Sequence, residues 1–214
     1  MFSLYSIAEW IAFLCSILLF AKGVEKGYRV FFFYALTVIL TEFAGRWLME
    51  TTQHNHRLFT FACFAFTCFY FLTLRSFLKE TQRRRLVTIL LGLFITVYTI
   101  NLFFIQQLEE FNSYSFIAGY TMLSIATTIY YMEFIQQETI TPIWEEPNFF
   151  IVTGYFIYGT LTAILYTLHR YFAYMKIPNA NYRNLFTTTS DITNVSLYLL
   201  LAVAFVIIWK RRKS

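Results

Sequence analysis

Seven apolar stretches, each about as long as a bilayer is thick, occupy most of this 214-residue chain. A membrane span takes about 20 apolar residues, because an α-helix rises ~1.5 Å per residue and the hydrocarbon core is ~30 Å thick. Since lipid offers the backbone no hydrogen-bond partner, each stretch must form a helix that satisfies its own amides. The predicted spans are Ser3–Ala21, Val30–Met49, Leu58–Leu78, Leu86–Ile105, Tyr114–Gln136, Phe149–Met175 and Ile192–Trp209.

The composition favours a lipid bilayer as the surroundings of these helices. The chain is 58% hydrophobic and 14% charged, whereas a soluble domain carries about 25% charged residues. The loops between the spans are short. We therefore expect an all-α integral membrane protein, a seven-transmembrane-helix bundle that forms one domain over residues 1–214.

The basic residues predict the orientation of the bundle. With the N-terminus outside and the C-terminus cytoplasmic, 12 of the 17 lysines and arginines fall in cytoplasmic segments and four in external ones. This bias matches the positive-inside rule. The net charge of +5 is then a consequence of topology, and we expect no nucleic-acid partner. The predicted location is a bacterial inner membrane, crossed several times.

Polar residues recur at spacings of three and four in several spans, which places them on one face of a helix. Tyr155, Tyr158, Thr162, Tyr166 and His169 form such a face in the sixth span. Side chains of this kind turn towards the bundle interior, because polar atoms facing hydrocarbon have no partner. Ordinary helix packing through hydroxyl groups is the alternative to a functional role.

Ionisable residues within the spans are the stronger signal, since a charge near the bilayer centre costs roughly 2.5–3.5 kcal/mol. Glu42 and Arg46 are four residues apart, so they can pair on one helix. Such a pair fits a structural role as well as a functional one.

Most of these costly groups fall in the outer half of the predicted bundle, which indicates a cavity open to the outside. Their mixed charges suit a small polar or zwitterionic ligand. His169 would add sensitivity to external pH, because histidine titrates near pH 6.5; a position at the membrane interface is its structural alternative. The predicted ligand-binding residues are Glu9, Glu42, Arg46, Tyr166, His169 and Asn194.

Enzyme signatures are missing from the sequence, which has no Ser-His-Asp set and no glycine-rich phosphate loop. We therefore predict no catalytic residue, no cofactor and no metal. His54 and His56 lie in a short predicted external loop, where a solvated loop is favoured over a two-histidine metal site. Cys15, Cys63 and Cys68 fall inside spans and are predicted to be packing residues without a disulfide.

Two short segments in the second half of the chain carry a family resemblance. They are Phe111-Asn112-Ser113-Tyr114-Ser115, before the helix that ends at Tyr130-Tyr131, and Glu146-Pro147-Asn148-Phe149-Phe150-Ile151, which leads into Gly154 and Tyr158. The chain resembles a group of small bacterial seven-helix membrane proteins that are often encoded beside sensor histidine kinases. Members of the group tend to have Phe-Trp-Ile after the proline, where this chain has Phe149-Phe150-Ile151. The resemblance implies an association with signalling.

The leading hypothesis is a receptor-like or sensory membrane subunit. It would bind a small ligand from the external side and act on a partner membrane protein such as a sensor kinase. A small transporter or channel that uses the same cavity is the first alternative. A structural subunit of a membrane complex is the second.

Overall fold

The computed structural model describes residues 4–108, 111–136, 142–176 and 179–212, in which all regular structure is helical. Ser3, where the first span is predicted to begin, lies outside them. The helices are α1 (Leu4–Ser16, continued by a 3-10 turn, Ile17–Phe20), α2 (Val30–Thr52), α3 (His56–Phe77), α4 (Thr81–Ile100, continued by a π-helical turn, Asn101–Ile105), α5 (Ser113–Gln136), α6 (Pro147–Tyr174) and α7 (Asn179–Lys210).

The helices form a closed ring in chain order. Each packs against its neighbours in the sequence, and α7 returns to pack against α1. Helix α3 also contacts α5 and α6 across the ring, so it lies nearest the centre. Because successive helices run in opposite directions, the starts of α1, α3 and α7 lie at one end, which we call the amino-terminal end. The ends of these helices lie at the carboxyl-terminal end.

Five segments are long and apolar enough to cross a membrane. They are Lys26–Thr52, His56–Phe77, Thr81–Ile105, Pro147–Tyr174 and Tyr182–Lys210. Leu4–Phe20 is apolar but shorter. Helix α5 has 24 residues, many of which are serine, threonine and tyrosine.

The distribution of side chains fits a lipid environment. Large apolar side chains cover the outside of the bundle, and examples are Leu40, Phe43, Trp47, Leu72, Leu93 and Phe103. Soluble proteins rarely expose apolar surface this continuously. Buried polar residues instead face the interior, among them Ser6, Thr41, Thr67 and Thr127. The polar faces of the helices therefore point towards the interior of the bundle, as the sequence predicts.

Buried side-chain amides stabilise the connection from α4 to α5 through hydrogen bonds. Asn101 Nδ2 donates to Gln106 Oε1 at 2.9 Å and to Ser115 Oγ at 3.0 Å. Gln106 Nε2 in turn donates to Ser113 Oγ at 3.1 Å. Because lipid cannot satisfy these groups, the network fixes the turn. The Phe111–Ser115 segment that carries part of the family resemblance thus has a structural role here.

Helix α7 begins much earlier than the sequence predicts. The apolar pattern places its start at Ile192, with Ser190 or Asp191 as the N-cap, but the helix begins at Asn179. The extra turns pack against α6, where the rings of Phe172 and Tyr182 stack at 4.9 Å. Tertiary contact therefore extends the helix through a polar stretch, and both the predicted loop and the predicted N-cap are wrong.

A glycine at the α4–α5 contact provides a test of this packing. A Cβ atom on Gly119 would lie 2.5 Å from a ring carbon of the fully buried Phe94. We expect Gly119→Ala to lower the free energy of unfolding by about 1–3 kcal/mol, because overpacking forces the ring out of place. Gly92 is the matched control, since a Cβ atom there meets nothing within 4 Å. Gly92→Ala should be neutral or stabilising in the same thermal unfolding assay, and equal losses in both variants would contradict the packing.

Candidate functional site

A cavity of about 340 Å³ opens at the amino-terminal end of the bundle. It lies between α1, α2, α3, α6 and α7. Its lining consists of Tyr5, Glu9, Val38, Thr41, Glu42, Phe59, Cys63, Phe66, Tyr70, Tyr158, Phe186, Thr187, Ser190, Asp191, Asn194 and Tyr198. The volume is at the lower end of the range for small-molecule sites, so the cavity suits a small ligand.

The charged groups that line this cavity are all acidic. They are the carboxylates of Glu9, Glu42 and Asp191, and no described lysine, arginine or histidine joins them. Seven of the lining side chains are tyrosine or phenylalanine. Aromatic faces attract cations, so carboxylates and rings together form a site for a positively charged group.

Glu9 is the most unusual member of the lining. It is only 6% exposed, and the described residues offer its carboxylate no hydrogen bond. Arg46 lies close to it and offsets its charge from the side away from the cavity. A buried carboxylate that lines a cavity and accepts no protein hydrogen bond can accept one from a ligand's donor.

Glu42 and Arg46 lie on neighbouring turns of α2, as the sequence indicates, but the arginine reaches another group. Arg46 donates to the hydroxyl of Ser6 on α1 at 2.9 Å. Glu42 faces the cavity beside Tyr5. A smaller crevice next to the cavity brings Arg46 close to both Glu9 and Glu42. The arginine therefore offsets the charge of two carboxylates, and its hydrogen bond to Ser6 links α2 to α1.

Tyrosine side chains form the floor of the cavity. Tyr70 from α3 lines the cavity, and its hydroxyl lies 2.6 Å from that of Tyr34 on α2. Tyr158 from α6 also lines the cavity, and its hydroxyl lies 3.4 Å from that of Tyr120. The floor is therefore hydroxyl-rich and held by interhelical hydrogen bonds.

Three of the six predicted ligand-binding residues line the cavity, namely Glu9, Glu42 and Asn194, and Arg46 lies beside it. Tyr166 and His169 do not line it, so the expected convergence of these two with the carboxylates is corrected. Phe186 lines the cavity and contacts both of them, with ring centroids 6.2 Å from Tyr166 and 5.5 Å from His169. The early start of α7 is the physical reason, because it adds the turn that carries Phe186.

Sequence reasoning missed two parts of the lining. On α3, Phe59, Cys63, Phe66 and Tyr70 follow spacings of four, three and four, which is the signature of one helix face. That signal was readable, but apolar residues in a span resemble ordinary packing. The contribution of Phe186, Thr187 and Ser190 from α7 had no such signal, since this stretch reads as a polar loop, whereas Asp191 shares a polar face with Asn194 and Tyr198 in the sequence.

The histidines and cysteines lie at separate places in the described part of the bundle. The rings of His54 and His56 lie 5.9 Å apart, and no group of three or more metal-ligating side chains occurs among the described residues. The three cysteines are free thiols, each half-buried. Cys63 differs from the other two because it lines the cavity.

Comparisons with known proteins find no match for this chain. The chain matches no protein-family model, no curated protein sequence and no solved structure. The class of protein is therefore defined by the fold and the site, as a helical bundle with several helices able to cross a membrane and an acidic, aromatic cavity at one end.

The role of Arg46 as a counter-charge leads to a double-mutant prediction. We expect Arg46→Gln to lower the free energy of unfolding by about 1–2 kcal/mol, because two nearby carboxylates lose their shared cation. Adding Glu42→Gln should recover at least half of the loss, since one of those carboxylates is then neutral. Thermal unfolding of the single and double variants measures this coupling. Purely additive losses would mean that the three groups do not interact.

Proposed function

We propose that the protein is a receptor-like membrane subunit that binds a small organic cation in the amino-terminal cavity. The observation that carries this proposal is the set of three carboxylates, with Glu9 almost fully buried, in a cavity lined by aromatic rings. An ammonium group would donate a hydrogen bond to the carboxylates on the cavity side and add positive charge where three carboxylates lie together. The aromatic lining would supply cation–π contacts to its substituents.

The charge of the lining narrows the ligand class. The sequence suggests a polar or zwitterionic ligand, because acidic and basic residues occur at similar predicted depth. Arg46 and His169 do not line the cavity, whereas Glu9, Glu42 and Asp191 do. A carboxylate on the ligand would lie among the carboxylates of the lining, while Arg46 lies outside it, so a simple amine or quaternary ammonium ion fits better.

We also propose how the bundle is oriented in the membrane. Seven spans, with the N-terminus outside a bacterial inner membrane, place the cavity on the external side. Positive-inside bias supports this orientation. The closed ring supports a seven-span count, because α1 and α5 pack as members of the ring between helices that are apolar and long enough to cross a membrane. Ligand from outside would then reach the cavity directly.

Signalling would pass through a partner membrane protein such as a sensor kinase. The family resemblance and the short connections between the described helices support this part of the proposal. The apolar outer surface of the bundle is available to a membrane partner. A structural subunit of a complex would share this surface but would have no use for the carboxylates in the cavity.

Binding of a permanent organic cation tests the proposal. We expect benzyltrimethylammonium to raise the melting temperature of the purified protein, and benzenesulfonate and benzyl alcohol to have no effect. Glu9→Gln should weaken the binding roughly 10- to 150-fold, because a hydrogen bond to a charged group contributes about 1.5–3 kcal/mol. The melting-temperature shift measured against cation concentration gives the affinity.

Glu50→Gln is the matched control, since Glu50 is an exposed glutamate near the same end of the bundle and does not line the cavity. It should bind the cation as well as the wild type does. If Glu9→Gln binds equally well, or if benzenesulfonate binds as tightly as the cation, the proposed ligand class is wrong.

A further inference from the structure

The cavity at the amino-terminal end of the bundle is long and narrow. Along α7 its lining runs from Phe186 to Tyr198, and twelve residues of helix correspond to a rise of about 18 Å. Along α3 the lining runs from Phe59 to Tyr70, which corresponds to about 16 Å. A volume of about 340 Å³ over this length suits an extended ligand better than a compact one.

The lining changes in character between the carboxylates and the floor. On α2, the apolar Val38 lies one turn deeper than Glu42, and on α3 the ring of Phe66 lies one turn above the floor. On α7, Asp191 precedes Tyr198 by seven residues, which corresponds to about 10 Å along the helix. The carboxylates are therefore followed by an apolar section, and the apolar section by tyrosine hydroxyls.

Three tyrosines of the described lining lie at the floor, and one of them differs from the other two. The hydroxyls of Tyr70 and Tyr158 lie 2.6 Å and 3.4 Å from those of Tyr34 and Tyr120. Tyr198 is only 7% exposed, and the described residues offer its hydroxyl no hydrogen bond. Because Tyr198 lines the cavity, this hydroxyl is available to a ligand.

We infer that the ligand is an extended amine with a hydroxyl group at the end remote from its nitrogen, and that Tyr198 recognises this hydroxyl. The inference rests on the proposed function, because the carboxylates must hold the ammonium group. The apolar section between them suits a flat ring, since aromatic rings pack favourably against a ring such as that of Phe66. A phenolic amine has these three parts in this order.

The hydroxyl of Tyr198 determines selectivity between ligands that carry the same charge. A phenol hydroxyl both donates and accepts hydrogen bonds, so Tyr198 can pair with a ligand hydroxyl in either direction. An amine that lacks the hydroxyl leaves the buried oxygen of Tyr198 without a partner. A site that is built to hydrogen-bond a ligand hydroxyl discriminates against such an analogue for this reason.

Two amines that differ by a single hydroxyl group test the inference. Tyramine and phenethylamine are both ammonium ions at pH 7, and the melting-temperature shift of the purified protein gives the affinity of each. Tyramine should bind the wild type roughly two- to tenfold more tightly, which is the factor that one neutral hydrogen bond contributes. Tyr198→Phe should bind the two amines equally, with the wild-type affinity for phenethylamine.

The stability of the ligand-free protein separates a binding role of the Tyr198 hydroxyl from a structural one. Tyr198→Phe should melt at the wild-type temperature, because the deleted hydroxyl has no partner among the described residues. Tyr155→Phe is the matched control, since Tyr155 is a buried tyrosine outside the cavity lining whose hydroxyl lies 3.1 Å from that of Thr73. It should melt at a lower temperature but keep the wild-type preference for tyramine.

The outcomes distinguish this inference from the proposed function. Equal affinities of the wild type for tyramine and phenethylamine would overturn the inference and leave the cation site intact. A preference for tyramine that persists in Tyr198→Phe, or a lower melting temperature of that variant without ligand, would also overturn it. If neither amine binds and benzyltrimethylammonium does not bind either, the proposed function is wrong and the inference is wrong with it.

Discussion

Lipid cannot form hydrogen bonds, and the rest of this structure depends on that constraint. Each helix must satisfy its own backbone, and every polar side chain within a span must find its partner inside the bundle. The outside of the bundle is consequently apolar, and the inside collects hydroxyls, amides and carboxylates. The ring of helices around α3 gives these groups a common interior.

The same constraint distinguishes the groups that are satisfied from those that are not. The Nδ2 atom of Asn101 and the side chain of Gln106 find partners in one another and in the start of α5, although Asn101 Oδ1 is buried without a partner among the described residues. Tyr34 and Tyr70 pair across the α2–α3 contact. Glu9 is buried at a comparable level without a hydrogen bond from the described residues. Packing accounts for the hydrogen-bonded groups, whereas the Glu9 carboxylate has Arg46 as a counter-charge on one side and the cavity on the other.

The sequence predicts much of this fold because its periodicity is strong. The spans around α2, α3 and α6 are placed within a few residues, and the inward direction of Glu9, Glu42 and Asn194 follows from the cost of polar groups in lipid. The early start of α7 could not be predicted, because its first turns are polar and are stabilised by contact with α6. Because α7 starts early, the ring of Phe186 lies between the cavity and the side chains of Tyr166 and His169. These two residues therefore do not line the expected site. The pairing of Arg46 with Ser6 likewise depends on how α1 crosses α2, which no single-helix pattern contains.

Charge-selective labelling of Cys63 tests the central claim, an acidic cavity open to the external side. Cys63 lines the cavity, and Cys15→Ser with Cys68→Ser leaves it as the one thiol in the chain. Methanethiosulfonate reagents that carry a trimethylammonium or a sulfonate group would be compared in intact spheroplasts, each normalised to its rate with a free thiol. The account predicts modification about tenfold faster by the cation, because the carboxylates attract it, and a smaller difference when Glu9→Gln and Glu42→Gln are added. Equal rates for the two reagents, or labelling only in inside-out vesicles, would contradict it.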